Sequence, residues 1–466
     1  LLEPTQSESK VIANIVAIPD SAQSPEQISG LQSDLIPELQ FARRLAESGC
    51  RVVVPLLINR QEKINKLTNR EFLYRSAFEL GRQLIGYEIQ KSLALVDWFE
   101  KKWPDEPIGM IGWGEGGLIT QYAAAIDTRI NSACVSGYFD SRQNIWQEPI
   151  DRNIFGLLEQ FGDAELASLI APRTLIIDAA IGPKKSYPGG RGAPARIITP
   201  SLDSVKKEFF RAEQIVSKLN PPAKFYLIDD DQNPLGDRAL SHFLKSLVPN
   251  YSLKKIKRNI IFNKNKNFDP TKRHAKQFHE LDRHTQWLLR ESPYVRKKFY
   301  QPDTSSLVKF EASNKKYREQ FYNDVIGRFK YDRLPLNARS RKIYNTKKWV
   351  GHEIVLDVFP NVIAYGVLLL PRDLKANERR PVVVCQHGLE GRPQDIIQGD
   401  HHAYHDFAAK LADRGFITFS PQNLYIFQDR FRTLQRKANP LKKTLFSVII
   451  PQHQQIVDWL KTLDFV

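Results

Sequence analysis

Two stretches of this chain have the residue types of a catalytic turn. Ile108-Gly-Met-Ile-Gly-Trp-Gly-Glu-Gly-Gly-Leu-Ile-Thr-Gln-Tyr-Ala-Ala-Ala125 reads as an apolar strand, a glycine-rich turn and a helix. That setting suits a G-x-S-x-G turn, whose glycines permit a sharp bend around a strained serine nucleophile. Here the five positions are Gly112-Trp113-Gly114-Glu115-Gly116, so Gly114 stands where the nucleophile would be and has nothing to attack with. Glu115 is the ionisable group of the turn. At a helix N-terminus its carboxylate stays charged, which suits a cap or an acceptor better than a general acid. The second stretch, Val382-Val-Val-Cys-Gln-His-Gly-Leu-Glu-Gly391, is an apolar strand running into a His-Gly loop.

Other constellations are weaker. His279-Glu-Leu-Asp-Arg-His284 has one residue too many for a zinc-protease pair, and on a helix its histidines would stand about 140° apart. His401, His402 and His405 could share a helical face, but no Cys or carboxylate completes a metal site. No phosphate- or dinucleotide-binding fingerprint follows a strand, so neither metal nor cofactor is expected. The loop Pro188–Pro194 could touch an anion, with a flexible loop as the default. Phe427, Arg430, Phe431 and Arg432 either line a pocket or are solvated.

An internal repeat sets the elements that must hold these residues. Phe41-Ala-Arg-Arg-Leu-Ala-Glu-Ser-Gly-Cys-Arg-Val-Val-Val-Pro55 matches Phe407-Ala-Ala-Lys-Leu-Ala-Asp-Arg-Gly-Phe-Ile-Thr-Phe-Ser-Pro421 at an offset of 366. Both read as an amphipathic helix, a glycine at its C-terminal end and a short apolar strand. Upstream, Asn14–Pro25 aligns with Val382–Pro393 at an offset of 368, and downstream Val96–Lys101 aligns with Val457–Thr462 at 361. Each set runs strand, loop, helix, strand, long loop, helix, a parallel-sheet unit.

The repeat and the composition together give a domain plan. At 466 residues the chain exceeds one ordinary core, and 42% hydrophobic with 26% charged residues indicates a soluble globular protein. Residues 10–250 hold one α/β domain, 251–345 a basic and largely helical connector, and 346–466 the N-terminal part of a second α/β domain. The expected fold is thus α/β, with two mostly parallel sheets flanked by helices. Tyr251–Asn345 carries 24 Lys/Arg against 9 Asp/Glu and so most of the net charge of +16. Such a segment could hold an acidic partner, although a solvated helical connector is the plainer reading. Cys50, Cys134 and Cys385 lie in or beside apolar runs and read as buried thiols. The longest apolar run, Ile354–Leu370, is broken by Asp357, Pro360 and Asn361, so no membrane span is expected. The chain starts Leu-Leu-Glu-Pro, so a removed signal peptide is compatible with the sequence, and compartment stays open.

The turn at Gly112–Gly116, with Val135-Ser-Gly-Tyr-Phe139 and Phe161-Gly-Asp-Ala-Glu-Leu-Ala-Ser-Leu-Ile-Ala-Pro-Arg173 before the strand Thr174–Asp178, resembles the α/β-hydrolase superfamily. The likeness is to its dienelactone-hydrolase-like and acetyl-xylan-esterase-like branch. It implies Asp178 at the acid position of a Ser-His-Asp triad. The base histidine would follow the strand Lys224–Ile228, where this chain has Asp229-Asp-Asp-Gln-Asn233, and His242 further on looks structural. The first half therefore reads as a degenerate site. In the second half the resemblance makes His387-Gly388-Leu389 an oxyanion loop, with the Leu389 N–H as donor. The repeat puts the matching nucleophile sixteen positions past Trp459, at 475, outside these 466 residues. The implied activity is hydrolysis of a carboxylic ester, on a small molecule or an acetylated carbohydrate. A non-catalytic scaffold built on a dead hydrolase fold is the alternative.

Overall fold

The computed structural model describes residues 1–4, 11–32, 34–64, 67–187, 194–229, 233–256, 269–426 and 430–466. The described chain divides into two compact units, one of Leu1–Gly190 with Pro194–Phe299 and the other containing Tyr300–Val466.

In the first unit, β1 (Asn14–Ile18), β2 (Arg51–Val53), β3 (Ile108–Trp113), β4 (Ile130–Ser136), β5 (Thr174–Asp178) and β6 (Lys224–Ile228) form one sheet in the order β6-β5-β4-β3-β1-β2. Every pair in it is parallel. The short runs Asn-Ile-Val-Ala-Ile and Thr-Leu-Ile-Ile-Asp are buried along their whole length, as strands covered on both faces must be. Their side chains alternate between two cores. Ile15, Ala17 and Ile111 pack with Phe41 and Leu45 of α1 (Phe41–Glu47). Val16, Ile18 and Met110 face the opposite core, with residues of α2 (Leu84–Lys102) and α3 (Glu115–Ile126).

The second unit has a mixed sheet, β7 (Arg339–Asn345), β8 (Trp349–Phe359), β9 (Val362–Pro371), β10 (Val382–Val384) and β11 (Ile417–Pro421), in the order β7-β8-β9-β11-β10. The parallel expectation holds here for β10 and β11 alone; the other three pairs are antiparallel. The cause is local. Phe359 pairs with Val362 across a turn of two residues, Pro360 and Asn361, and Asn361 takes a φ of 65°. A turn that short can only reverse the chain.

The repeated blocks adopt the same pairing in both units. Asn14 lies opposite Arg51 in the first, and their counterparts Val382 and Ile417 lie opposite each other in the second.

The basic segment 251–345 is shared between the units. Helix α4 (Pro270–Phe299) belongs to the first, where Phe278 and Leu281 pack beside Ile58, Leu73 and Leu84, and Arg273 clamps Glu26 with two hydrogen bonds. Helix α5 (Leu307–Gln320) and strand β7 belong to the second. Among the described residues no helix is long and apolar enough to cross a membrane.

Candidate active site

Strand β3 delivers the chain to Gly114, and α3 begins at the next residue. Gly114 sits at φ 59° and ψ −114°, the strained backbone of a nucleophile turn. The flanking glycines are needed for the close approach of strand and helix. A Cβ on Gly116 would lie 2.1 Å from the Ile18 carbonyl oxygen, and one on Gly112 would lie 2.3 Å from the Gly116 carbonyl. The turn has thus kept its shape, while the space above it is filled. A Cβ on Gly114 would meet Pro183 Cγ at 2.5 Å and Asp20 Oδ2 at 2.7 Å. The Glu115 N–H, which follows the nucleophile position, donates to that same Asp20 oxygen at 3.0 Å. In a working hydrolase this amide would serve the oxyanion. Here a carboxylate of the chain itself occupies it.

Glu115 does not cap the helix. Its side chain is fully buried and accepts from Arg60 Nη2 at 3.0 Å, Arg70 Nη2 at 2.9 Å and Arg152 Nε at 2.8 Å. Asp151 binds Arg60 and Arg70, each at 2.6 Å, and Arg70 also donates to the Ile58 carbonyl and to Glu88. Burial by itself would raise the Glu115 carboxyl. Arg152, Arg60 and Arg70 outweigh it and hold the group far below the ordinary carboxylate range. Asp151 follows the same pattern, burial raising it and Arg60 and Arg70 lowering it further. A carboxylate so fixed neither gives nor takes a proton near neutrality. None of these ion pairs was legible in the sequence, because the paired residues are separated by as many as 91 positions.

The sign of the pH effect follows. Carboxyls depressed in the folded state stabilise fully above the unfolded-state pKa, near 4, and lose that contribution as pH falls through the folded value. The melting temperature of the first unit is therefore expected to stay level from pH 7 to about 5 and to drop steeply below about 4. Circular dichroism melts across that range check it, and a level profile down to pH 2 would contradict it.

Asp178 ends β5 where the resemblance places the acid. Its Oδ2 accepts from Ser136 Oγ at 2.7 Å and from the Leu235 N–H at 2.8 Å, so it ties β4 to the loop after β6. Residues 230–232, in the segment where the base would stand, lie outside the described residues, as do 188–193 and 427–429. His242 is half-buried, with its ring 5.7 Å from that of Tyr226.

The second unit places the His387 loop just after β10. His387 is buried, its Nδ1 lies 2.7 Å from the Gly388 oxygen, and its ring backs the turn at Gly391. The Gly388 N–H donates to the Tyr404 hydroxyl at 2.9 Å. Asn423 Nδ2 donates to the carbonyls of Gly388 and Leu389 at 3.3 and 3.4 Å, and Gln422 Nε2 to that of Gly391 at 3.3 Å. The loop is braced from behind, while Leu389 is 65% exposed. Sequence alone pointed to His387, Gly388 and Leu389; Tyr404 and Asn423, which brace the loop through hydroxyl and amide groups, carry no motif of their own. His401 stacks on His402 and on Tyr404, and His405 pairs with Asp400. Among the described residues no group of three or more His, Cys, Asp or Glu could hold a metal ion.

A parallel sheet, a left-handed glycine turn between its third strand and a helix, and a carboxylate ending the strand two places on decide the architecture. The first unit has an α/β-hydrolase-like fold. No family model matches the chain. A curated Bacillus subtilis (strain 168) protein, "Putative hydrolase YtaP", is 32% identical over 110 residues, covering 22% of this chain and 36% of that protein. The chain thus spans about a third of that relative's length. A carbohydrate esterase family 15 glucuronoyl esterase from Caldicellulosiruptor kristjansonii is 14% identical, with 58% of this chain and 76% of that one covered and a TM-score of 0.35. An alpha-beta serine hydrolase homologue from Coxiella burnetii is 14% identical, with 53% and 88% covered and a TM-score of 0.28.

Proposed function

We propose that the chain is part of a carboxylic-ester hydrolase acting on esters borne by carbohydrate, and that its catalysis belongs to the second unit. The braced His387-Gly388-Leu389 loop at the end of β10 carries this reading. A rigid backbone N–H aimed at developing negative charge contributes about 3 kcal/mol to the transition state of acyl transfer. In this scheme a serine attacks the ester carbonyl, and the Leu389 N–H stabilises the resulting oxyanion. The equal pairing of Asn14 with Arg51 and of Val382 with Ile417 supports treating the units as related, and in this reading the serine stands at residue 475, the position equivalent to Gly114 in the repeat. The first unit, with Pro183 and Asp20 over its turn, serves as a non-catalytic companion.

The test is labelling of the full-length protein with a fluorophosphonate serine probe. The expected result is one labelled serine in the second half, and a loss of about 10²–10³ in kcat for Leu389→Pro, which removes the donor hydrogen. A folded full-length protein that takes no label would sink the proposal.

A further inference from the structure

The second unit holds a cavity of about 450 Å³ lined by Tyr322, Arg328, Tyr331, Asp332, Arg333 and Gln454, among others. That volume lies in the range of small-molecule sites. Its walls are of two kinds. Phe329 and Tyr331 stack with centroids 5.1 Å apart, and Phe359 meets Tyr331 edge-on at 4.9 Å. Phe359 is buried beneath them, whereas Tyr331 is 55% exposed despite touching both rings. The polar wall carries both donors and acceptors. Among the described residues neither Arg328 nor Asp332 has an ion-pair partner, and the Arg328 guanidinium lies 5.2 Å from the centre of the Tyr322 ring. The Tyr322 hydroxyl donates to Gln454 Oε1 at 3.3 Å, which turns the Gln454 amide nitrogen to further use. Arg333 is already held by Gln455 and Asp458.

The segment bearing these groups is firmly mounted. Phe321–Ile326 is a π-helical turn, of a kind frequent at functional sites. Its last carbonyl, on Ile326, accepts from Thr444 Oγ1 at 2.9 Å and Ser447 Oγ at 2.7 Å. Gly327 follows at φ 84°, and a Cβ there would lie 2.3 Å from the Lys442 carbonyl oxygen. The rings and Arg328 are thereby presented from a fixed backbone.

We propose that this cavity binds one pyranose unit of a neutral glycan chain. A pyranose has C–H faces, which suit the negative face of an aromatic ring. Around them runs a rim of hydroxyls, each both donor and acceptor, matching Arg328 and Gln454 on one side and Asp332 on the other. Arg328 and Asp332 offset each other in charge, which suits a neutral ligand with donors and acceptors, and a wholly apolar ligand would leave both desolvated without partners. The inference deepens the carbohydrate-ester reading and supplies its substrate anchor, but it is tested by binding, which needs no turnover.

The experiment is calorimetric titration of the 466-residue chain with xylohexaose and cellohexaose, with a galacturonate hexamer and AMP as comparisons. At least one neutral hexamer should bind, and Tyr331→Ala and Asp332→Ala should each weaken it about tenfold or more, near 1.4 kcal/mol, with the melting temperature of Asp332→Ala unchanged. Both side chains are exposed, so these variants should fold. No binding of either neutral hexamer, binding untouched by both substitutions, or binding of AMP or galacturonate alone would each overturn the assignment. Fluorophosphonate labelling of the full-length protein is unaffected by any of these outcomes, so failure here and failure of the hydrolase reading can be told apart.

Discussion

Glu115→Gln is expected to cost the first unit about 3–5 kcal/mol, the loss seen when one partner of a buried ion pair is removed. Three guanidinium groups converge on the Glu115 carboxylate, and its side chain, like that of Arg70, has no solvent exposure. The amide of Gln is the same size but uncharged, and turns an NH₂ donor towards groups that only donate. Asp151 would still face Arg60 and Arg70, while among the described residues Glu148 would be the carboxylate left to Arg152. Since whole domains are stable by about 5–15 kcal/mol, such a loss approaches unfolding. Urea titrations of the 466-residue chain, followed through the transition of the first unit, measure it. A loss under about 1 kcal/mol would mean that water reaches the cluster and screens it.

Gly114→Ser puts the missing hydroxyl back and is expected to give no hydrolase. The backbone at φ 59° and ψ −114° costs a non-glycine residue about 1–3 kcal/mol, before contact with Pro183 and Asp20 is counted. The segment after β6, Asp229-Asp-Asp-Gln-Asn233, offers no histidine to take the new Oγ proton. The amide that should receive the oxyanion is held by Asp20. The variant should melt several degrees lower and remain unlabelled by fluorophosphonate within the 466-residue chain. Stoichiometric labelling at position 114 would show that the site opens in solution.

Where the sequence could be read, the signal was local. Strand β1, helix α1 and strand β2 declared themselves through the spacing of Ile15, Val16, Phe41, Leu45 and Val52, and the elbow through its glycines. The β8–β9 reversal was carried by Pro360 and Asn361, read as interruptions of an apolar run when they are a two-residue turn. The closure of the first site was beyond reach. Asp20 and Glu115 meet across 95 positions of chain, and no periodicity encodes which carboxylate will lie over which amide. His387 showed a pattern; Tyr404 and Asn423, which hold its loop, are ordinary residues until the fold brings them in.

The two outer strands of the second sheet differ in charge. Strand β7 forms one margin and carries Arg339, Arg341 and Lys342, charges that discourage another chain from adding to it. At the other margin β10 is Val382-Val383-Val384, with Val384 37% exposed, and among the described residues it pairs with β11 on one side only. An uncharged, one-sided valine strand accepts whatever extended backbone reaches it. Its counterpart β1 is paired on both sides, by β2 and β3, so in the scheme proposed above the second side of β10 is the place for the strand that leads to residue 475.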